Sequence, residues 1–277
     1  MPVTRFAPSP TGLLHIGHAH SALFARQMAG PGGTMKLRLE DIDITRCRPD
    51  YAAAIERDLA WLGLSWPTPV RRQSEHFAEY RQALDRLIAR GLAYPCFCTR
   101  AQLANAMAAP HGAEPVYPGP CRALTPEARL ARIASGEAHA WRLDVAAALA
   151  ATGPLAWRDL DRGVIQADPL ALGDVVVARK DIPASYHLAV TWDDALQGVE
   201  IVTRGEDLFA ATHIHRLLQA LLGLAVPVWR HHRLLLDAQG KRFAKRDRAP
   251  TLAALREAGR SAAEVRALAG FPDEPAA

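Results

Sequence analysis

The sequence predicts an α/β fold built on an open, mostly parallel sheet, and two observations carry that prediction. Residues 3–45 read strand–helix–strand. The β-prone run Val3–Phe6 enters a loop with two prolines and a glycine, a helix-like run covers residues 19–29, and Met35-Lys36-Leu37-Arg38-Leu39 alternates like a second strand. Glu40-Asp41-Ile42-Asp43 then follows at the C-terminal end of that strand, the side on which open parallel sheets bind ligands. With 277 residues, 49% hydrophobic and 22% charged, the chain has the length and balance of one large or two modest soluble domains.

The remaining elements follow in order. Residues 50–65 and 75–91 have the spacing of amphipathic helices, and Gly91 is a suitable stop for the second. From residue 94 the texture changes. Two close cysteines, a Pro/Gly-rich patch at 109–120, a helix near 126–135 and short strand-like runs at 138–145 and 173–179 suggest a separate α+β module inserted into the sheet domain. The expected division is 1–93, first half of the sheet domain; 94–185, inserted module; 186–277, second half and short helical tail. Within the last part, 196–202 reads as a strand and 208–222 as a helix. Residues 228–236 lead into the basic run Lys241-Arg242-Phe243-Ala244-Lys245-Arg246, and one or two short helices are expected after Arg248.

A net charge of +4 and pI near 9.0 are mildly basic, weak support for a nucleic-acid partner. No signal peptide is visible and no stretch nears the roughly 18 apolar residues of a membrane span, so the protein reads as cytoplasmic and membrane-free. A monomer is expected. Four cysteines do not make a disulfide framework at this size, and closely spaced thiols in a reducing compartment more often bind metal. Cys96, Cys98 and Cys121 with one further ligand would complete a tetrahedral zinc site; His111 is a candidate fourth ligand on general metal chemistry, and three ordinary thiols are the bland alternative.

His15-Ile16-Gly17-His18 sits where the first strand turns into the first helix. Backbone N–H groups and the positive end of a helix dipole collect there, so the junction suits a phosphate, and imidazoles three residues apart can face the same one. Taken alone, the tetrapeptide could equally be a helix start with solvent-facing histidines. Its place after a strand and a Pro-Ser-Pro-Thr-Gly turn, and the basic run ending near Lys245, favour the phosphate.

The Arg5–His18 block resembles the HIGH signature of class I aminoacyl-tRNA synthetases, in the form seen in the glutamyl branch. Arg242-Phe243-Ala244-Lys245-Arg246 falls where that family carries its KMSKS loop, with Lys245 kept, Arg242 keeping the first charge, and Ala244 in place of the serine. The likeness continues through Leu39-Glu40-Asp41-Ile42-Asp43, Tyr186 and Thr203-Arg204-Gly205-Glu206-Asp207-Leu208, over nearly the whole chain. It implies a Rossmann-like catalytic domain. Glutamate carries one ammonium and two carboxylates: Glu40 supplies the anion for the first, Arg5 and Arg204 can each clamp a carboxylate, Tyr186 adds a neutral donor and Ser9 a polar contact. The resemblance implies that these positions, with Phe6, Ala7 and Pro8, line the amino-acid site. Arg5 with Tyr186 is the favoured pair for the side-chain carboxylate, and a surface ion pair with Glu206 or Asp207 is the bland alternative for Arg204. Gly12, His15, Gly17, His18, Arg242 and Lys245 would bind ATP, with His15, His18 and Lys245 catalytic and Mg²⁺ accompanying the nucleotide. The resemblance also implies a structural zinc ion on Cys96, Cys98, Tyr117 and Cys121.

About 30 residues follow Lys245, too few for a helical anticodon-reading domain with its own core. A chain of this outline resembles the glutamyl-Q tRNA(Asp) synthetases, which activate glutamate without tRNA and transfer it to the queuosine base in the anticodon of tRNA(Asp). The inserted module, with Arg122, Arg129 and Arg132, would contact that RNA. Three other readings stay open: a glutamyl-tRNA synthetase lacking its anticodon domain, a small-molecule nucleotidyltransferase sharing the histidine–glycine–histidine turn, and a non-catalytic RNA-binding paralogue.

Overall fold

The computed structural model describes residues 1–99, 101–102, 117, 119–235 and 250–272. Three parallel strands, β1 (Val3–Phe6), β2 (Thr34–Leu39) and β3 (Arg71–Arg72), form the first sheet, with Arg5 opposite Lys36 and Leu39 opposite Arg72. Helix α1 (Ile16–Ala29) crosses from β1 to β2. It buries Ile16, Ala19, Ala22, Leu23, Ala25 and Ala29, a stripe at helical spacing, and stops at Gly30, whose φ of 68° suits a residue without a Cβ. Helices α2 (Pro49–Trp61) and α3 (Phe77–Ala89) fall where the spacing predicts them, each ending a few residues early.

A second, antiparallel sheet joins β4 (Ala93–Cys96), β5 (Ala140–Leu143) and β8 (Val176–Ala178). Helices α4 (Pro126–Ala134) and α5 (Val145–Thr152) are capped by Thr125 and Asp144, whose side chains accept from Ala128 and Ala147 N–H groups. Only α4 is anticipated by the sequence reading; the alanine-rich 145–152 run gives no face contrast to find it by. The hairpin β6 (Ala156–Asp159) and β7 (Gly163–Gln166) also departs from expectation. It lies within 94–185, yet its strand β6 pairs in parallel with β10 (Val228–His232), placing Trp229 opposite Asp159 in the third sheet, ordered β7, β6, β10 and then the strand at Ile201–Gly205. The sheet domain therefore takes back these residues before the chain reaches 186.

Helix α6 (Tyr186–Leu196) includes Leu196, the first residue of the strand expected at 196–202. The chain turns at Gln197-Gly198, and the strand, β9 (Ile201–Gly205), begins five residues later. Helix α7 (Ala211–Leu222) runs back along the core. β9 lies against β1, where Glu200 N–H donates to the Val3 carbonyl at 2.9 Å, so the first and third sheets meet edge to edge. Two short helices, α8 (Leu252–Glu257) and α9 (Ala262–Leu268), close the described chain, as expected. Their Leu252 and Val265, with Ala269 just past the second helix, join the core around α1 and α2. Leu252 N–H donates to the Leu14 carbonyl at 2.8 Å, and Thr251 bridges to His15, which ties this tail to the start of α1. No helix among the described residues is long and apolar enough to cross a membrane.

Candidate active site

β1, β2, β9 and β10 end on one side, and a cleft of about 430 Å³ opens there. Arg5 and Phe6 reach it from β1, with Ala7, Pro8 and Ser9 from the loop that follows. Glu40 comes from the end of β2, Arg204 from β9, Tyr186 from the first turn of α6, and His15, Gly17 and His18 from the start of α1. All of these were singled out from sequence. Gly12 is not among the cleft residues, and Arg242, Lys245 and His111 lie outside the described residues. The cleft also holds Thr203 and Gly205, quoted in the sequence only as neighbours of Arg204, and His20 and His232, which the sequence reading passed over; a signal was available in the His231-His232 pair ending a strand. A Cβ at Gly205 would run into Asp207 and Leu234, so glycine there keeps the cleft wall in place.

The two histidines cap α1 with their own rings. Nδ1 of His15 accepts from Gly17 N–H at 3.1 Å, and Nδ1 of His18 accepts from His15 N–H at 3.1 Å. A ring nitrogen that accepts carries no proton, so in this arrangement each neutral ring bears its hydrogen at Nε2 as a donor. The ring centroids are 3.9 Å apart. A cleft wall at a helix N-terminus with two such donors suits a polyphosphate.

The acidic and basic groups are interlocked. Arg5 donates from Nε to Asp194 Oδ1 at 3.1 Å and from Nη1 to the Thr203 carbonyl at 2.7 Å. Arg38, fully buried beneath the cleft, donates from Nη1 to Asp194 at 2.8 Å and from Nη2 to Glu40 Oε1 at 3.2 Å. Burial opposes its charge, but Asp194, Glu40 and Asp193 outweigh burial and hold the guanidinium well above its ordinary value. Burial pushes the Glu40 carboxyl up, against the pull of Arg38 and Arg5. Glu40 thus presents a largely buried carboxylate that a cation in the cleft would stabilise.

Arg204 is buried and pairs with neither Glu206 nor Asp207; Glu206 instead faces Arg162 at 3.8 Å. Its Nη1 donates to Tyr186 Oη at 3.5 Å, so the tyrosine hydroxyl sits on Arg204. Burial lowers the guanidinium below its usual range.

Away from the cleft, the Sγ atoms of Cys96, Cys98 and Cys121 lie within 4.8 Å of one another, and these cysteines could hold a metal ion. Tyr117 Oη joins them, 3.2 Å from Cys96 Sγ and 3.6 Å from Cys98 Sγ, and Arg142 lies over its ring at 3.7 Å. Burial pushes the Cys98 thiol up to about 11, while hydrogen bonding with Tyr117 and Arg142 overcomes burial and lowers Cys96. Three converging sulfurs and a phenol fit a closed tetrahedral site.

Residues 2–264 match the family model of the tRNA synthetases class I (E and Q), catalytic domain. The chain is 47% identical to a protein of Rhodobacter capsulatus named glutamyl-Q tRNA(Asp) synthetase, over 97% of this chain and 100% of that one. It is 41% identical to glutamate–tRNA ligase 2 of a Methylobacterium, over 97% of this chain and 59% of that one. Among solved structures, a glutamate tRNA ligase from Elizabethkingia meningosepticum in complex with its amino acid matches with a TM-score of 0.73 and 27% identity, over 89% of this chain and 52% of that one. The chain belongs to the class I tRNA synthetases of the E and Q type.

Proposed function

We propose that this protein is a ligase that joins L-glutamate to ATP's adenylyl group and then transfers the glutamyl moiety to the queuosine base of tRNA(Asp). The carrying observation is a buried guanidinium, Arg204, without a carboxylate partner among the described residues, in the same cleft as a histidine-capped helix start. The first asks for an organic acid and the second for a polyphosphate.

In this reading a carboxylate of glutamate meets Arg204 and the Tyr186 hydroxyl, the ammonium meets Glu40 and Ser9, and Arg5 is oriented by Asp194 toward the substrate's second carboxylate. An α-carboxylate oxygen attacks the α-phosphorus of ATP; the bond from that phosphorus to the β-bridging oxygen breaks, and pyrophosphate leaves. His15 and His18 contribute Nε2 donors to phosphate oxygens, and Lys245 neutralises charge building on the pyrophosphate. Leu235 lines the cleft and Thr251 bridges to His15, so both described flanks of the segment carrying Lys245 lie at this site. Catalysis is then positioning and charge stabilisation more than covalent chemistry. Mg²⁺ would enter with the ATP, and Cys96, Cys98, Tyr117 and Cys121 would hold a structural zinc ion that braces the β4 region. In the second step a hydroxyl of the queuosine cyclopentenediol attacks the activated carbonyl, and AMP departs. The Rhodobacter relative's name supports that acceptor.

Glutamate-dependent exchange of pyrophosphate into ATP with no RNA added tests the first step. Glutamyl transfer to tRNA(Asp) with queuosine, but not to the same tRNA without it, tests the second. Exchange that requires tRNA would favour an ordinary glutamate–tRNA ligase.

A further inference from the structure

Taking an arginine out of water is costly, and the ordinary compensation is a carboxylate. Two arginines beside this cleft follow that rule: Arg5 rests on Asp194, and Arg38 on Asp194 and Glu40. Arg204 does not. Its Nε donates to His231 Nε2 at 3.3 Å, Nη1 to His215 Nδ1 at 3.0 Å and to Tyr186 Oη at 3.5 Å, and Nη2 to Thr212 Oγ1. Every acceptor is neutral, and no carboxylate of the described residues lies within ion-pair distance.

The acceptors are themselves held in the right form. Asp159 Oδ2 lies 2.7 Å from His231 Nδ1, so that nitrogen carries the proton and donates, leaving Nε2 to accept from Arg204. His215 turns Nδ1 to Arg204 and Nε2 to His187 Nδ1 at 3.2 Å, which places its proton on the side away from the guanidinium. Thr212 and His215 come from α7, and His231 from β10, so two elements on different sides grip one planar group. Burial and the Arg204 charge keep His215 well below the ordinary imidazole value, in its accepting form.

We propose that Thr212, His215 and His231 are positioning residues: a neutral cradle that fixes the Arg204 guanidinium while leaving its charge for the substrate, and so sets preference for a carboxylate over the corresponding amide. The proposal rests on the reading above that Arg204 receives a carboxylate of the amino acid. A protein carboxylate in the cradle would already satisfy Arg204, and an incoming acid would have to compete with it. A substrate amide brings no charge to a guanidinium that has no carboxylate partner among the described residues.

The test compares nearly isosteric variants that differ only in charge. His215→Asn keeps a neutral acceptor near the position of Nδ1, and His215→Asp places a carboxylate there. In pyrophosphate exchange, the Asp variant is expected to show a KM for glutamate higher than the Asn variant by about tenfold or more, the worth of one charge-assisted hydrogen bond. The KM for ATP should be equal in the two, and the preference for glutamate over glutamine should fall in the Asp variant. Thr212→Asn and Thr212→Asp give the same comparison from the neighbouring turn if a His215 variant does not fold. Equal glutamate KM values within each pair overturn the cradle and leave the activity assignment standing. Absence of glutamate-dependent exchange in the unsubstituted protein overturns both.

Discussion

At Arg204 the planar fork matters as much as the charge. Four differently placed neutral acceptors receive its N–H groups, a pattern that a lysine ammonium on a flexible stem cannot reproduce. Arg204→Lys should therefore lower kcat/KM for glutamate by about a hundredfold, within the cost of losing charge-assisted hydrogen bonds, with the KM for ATP little changed. Pyrophosphate exchange at varied glutamate measures this, and an unaltered value would remove Arg204 from the amino-acid site. Lys245→Ala should slow activation at least about tenfold, since one cation facing developing charge is worth that much; an unchanged single-turnover rate with intact circular dichroism would take Lys245 out of the chemistry. His15 and His18 were legible in the sequence because the whole motif is contiguous. The environment of Arg204 was not: Asp159 and His231 are 72 residues apart, and no local pattern announces that they meet. The contact between Arg204 and Tyr186 was equally invisible in residue types: only the fold brings the Tyr186 hydroxyl to that guanidinium.

Helix α6 shows how one element fixes the cleft from below. Its consecutive Asp193 and Asp194 reach all three strands of the first sheet: Asp194 takes Arg5 of β1 and Arg38 of β2, and Asp193 takes Arg71 of β3 at 2.8 Å. Asp193 Oδ2 also accepts from Gln73 and from the buried Tyr80 hydroxyl, each at 2.8 Å. Removing Asp193 takes one carboxylate from Arg71 and leaves the buried Gln73 amide and Tyr80 hydroxyl without their acceptor, whereas removing the Tyr80 hydroxyl loses one hydrogen bond. Asp193→Ala should cost about 3 kcal/mol or more and Tyr80→Phe about 1 kcal/mol. Urea unfolding of the two variants gives the ordering, and equal losses would mean that α6 docks by apolar packing alone. The inserted module has its own fastener. One zinc ion per chain is expected by elemental analysis, and Cys121→Ser should lower both zinc content and the melting temperature; a metal-free protein that melts unchanged would discard the site. The cysteine spacing made this cluster readable, as the strand-like runs at 138–145 and 173–179 made β5 and β8; β4, at Ala93–Cys96, went unread beside the cysteines. The β6–β7 hairpin stayed hidden because membership of a sheet is decided by a partner strand some 70 residues later, not by the hairpin's own residues.

For the molecule as a whole, the cleft exists because strands from both ends of the chain finish side by side, and its cost is a set of imidazoles that must stay uncharged. Burial, followed by the Arg204 cation, pulls His187 from 6.5 down to about 4. Burial does the same to His231, to about 4, against the opposing pull of Asp159. His215 lies well below the ordinary value for the same two reasons as His187. A depressed imidazole pKa in the fold means that, below 6.5, the unfolded chain binds protons that the folded chain refuses. Stability therefore falls as pH drops from 6.5 toward 4, by on the order of 2 kcal/mol for one such histidine at pH 5. The carboxylates act in a lower window. Asp43, held near 2 by hydrogen bonds from Thr45 and Arg46, contributes stability that is lost only as pH falls below about 4 and on through 2, while the raised Glu40 works in the opposite sense. The melting temperature should thus decline between pH 7 and pH 5, before any lowered acid has titrated, and His187→Gln should flatten that decline by removing one of the refused protons. A melting temperature constant across that range in the unsubstituted protein would mean that these rings accept protons in the folded state, and that the Arg204 surroundings are wetter than the packing of α6, α7, β9 and β10 implies.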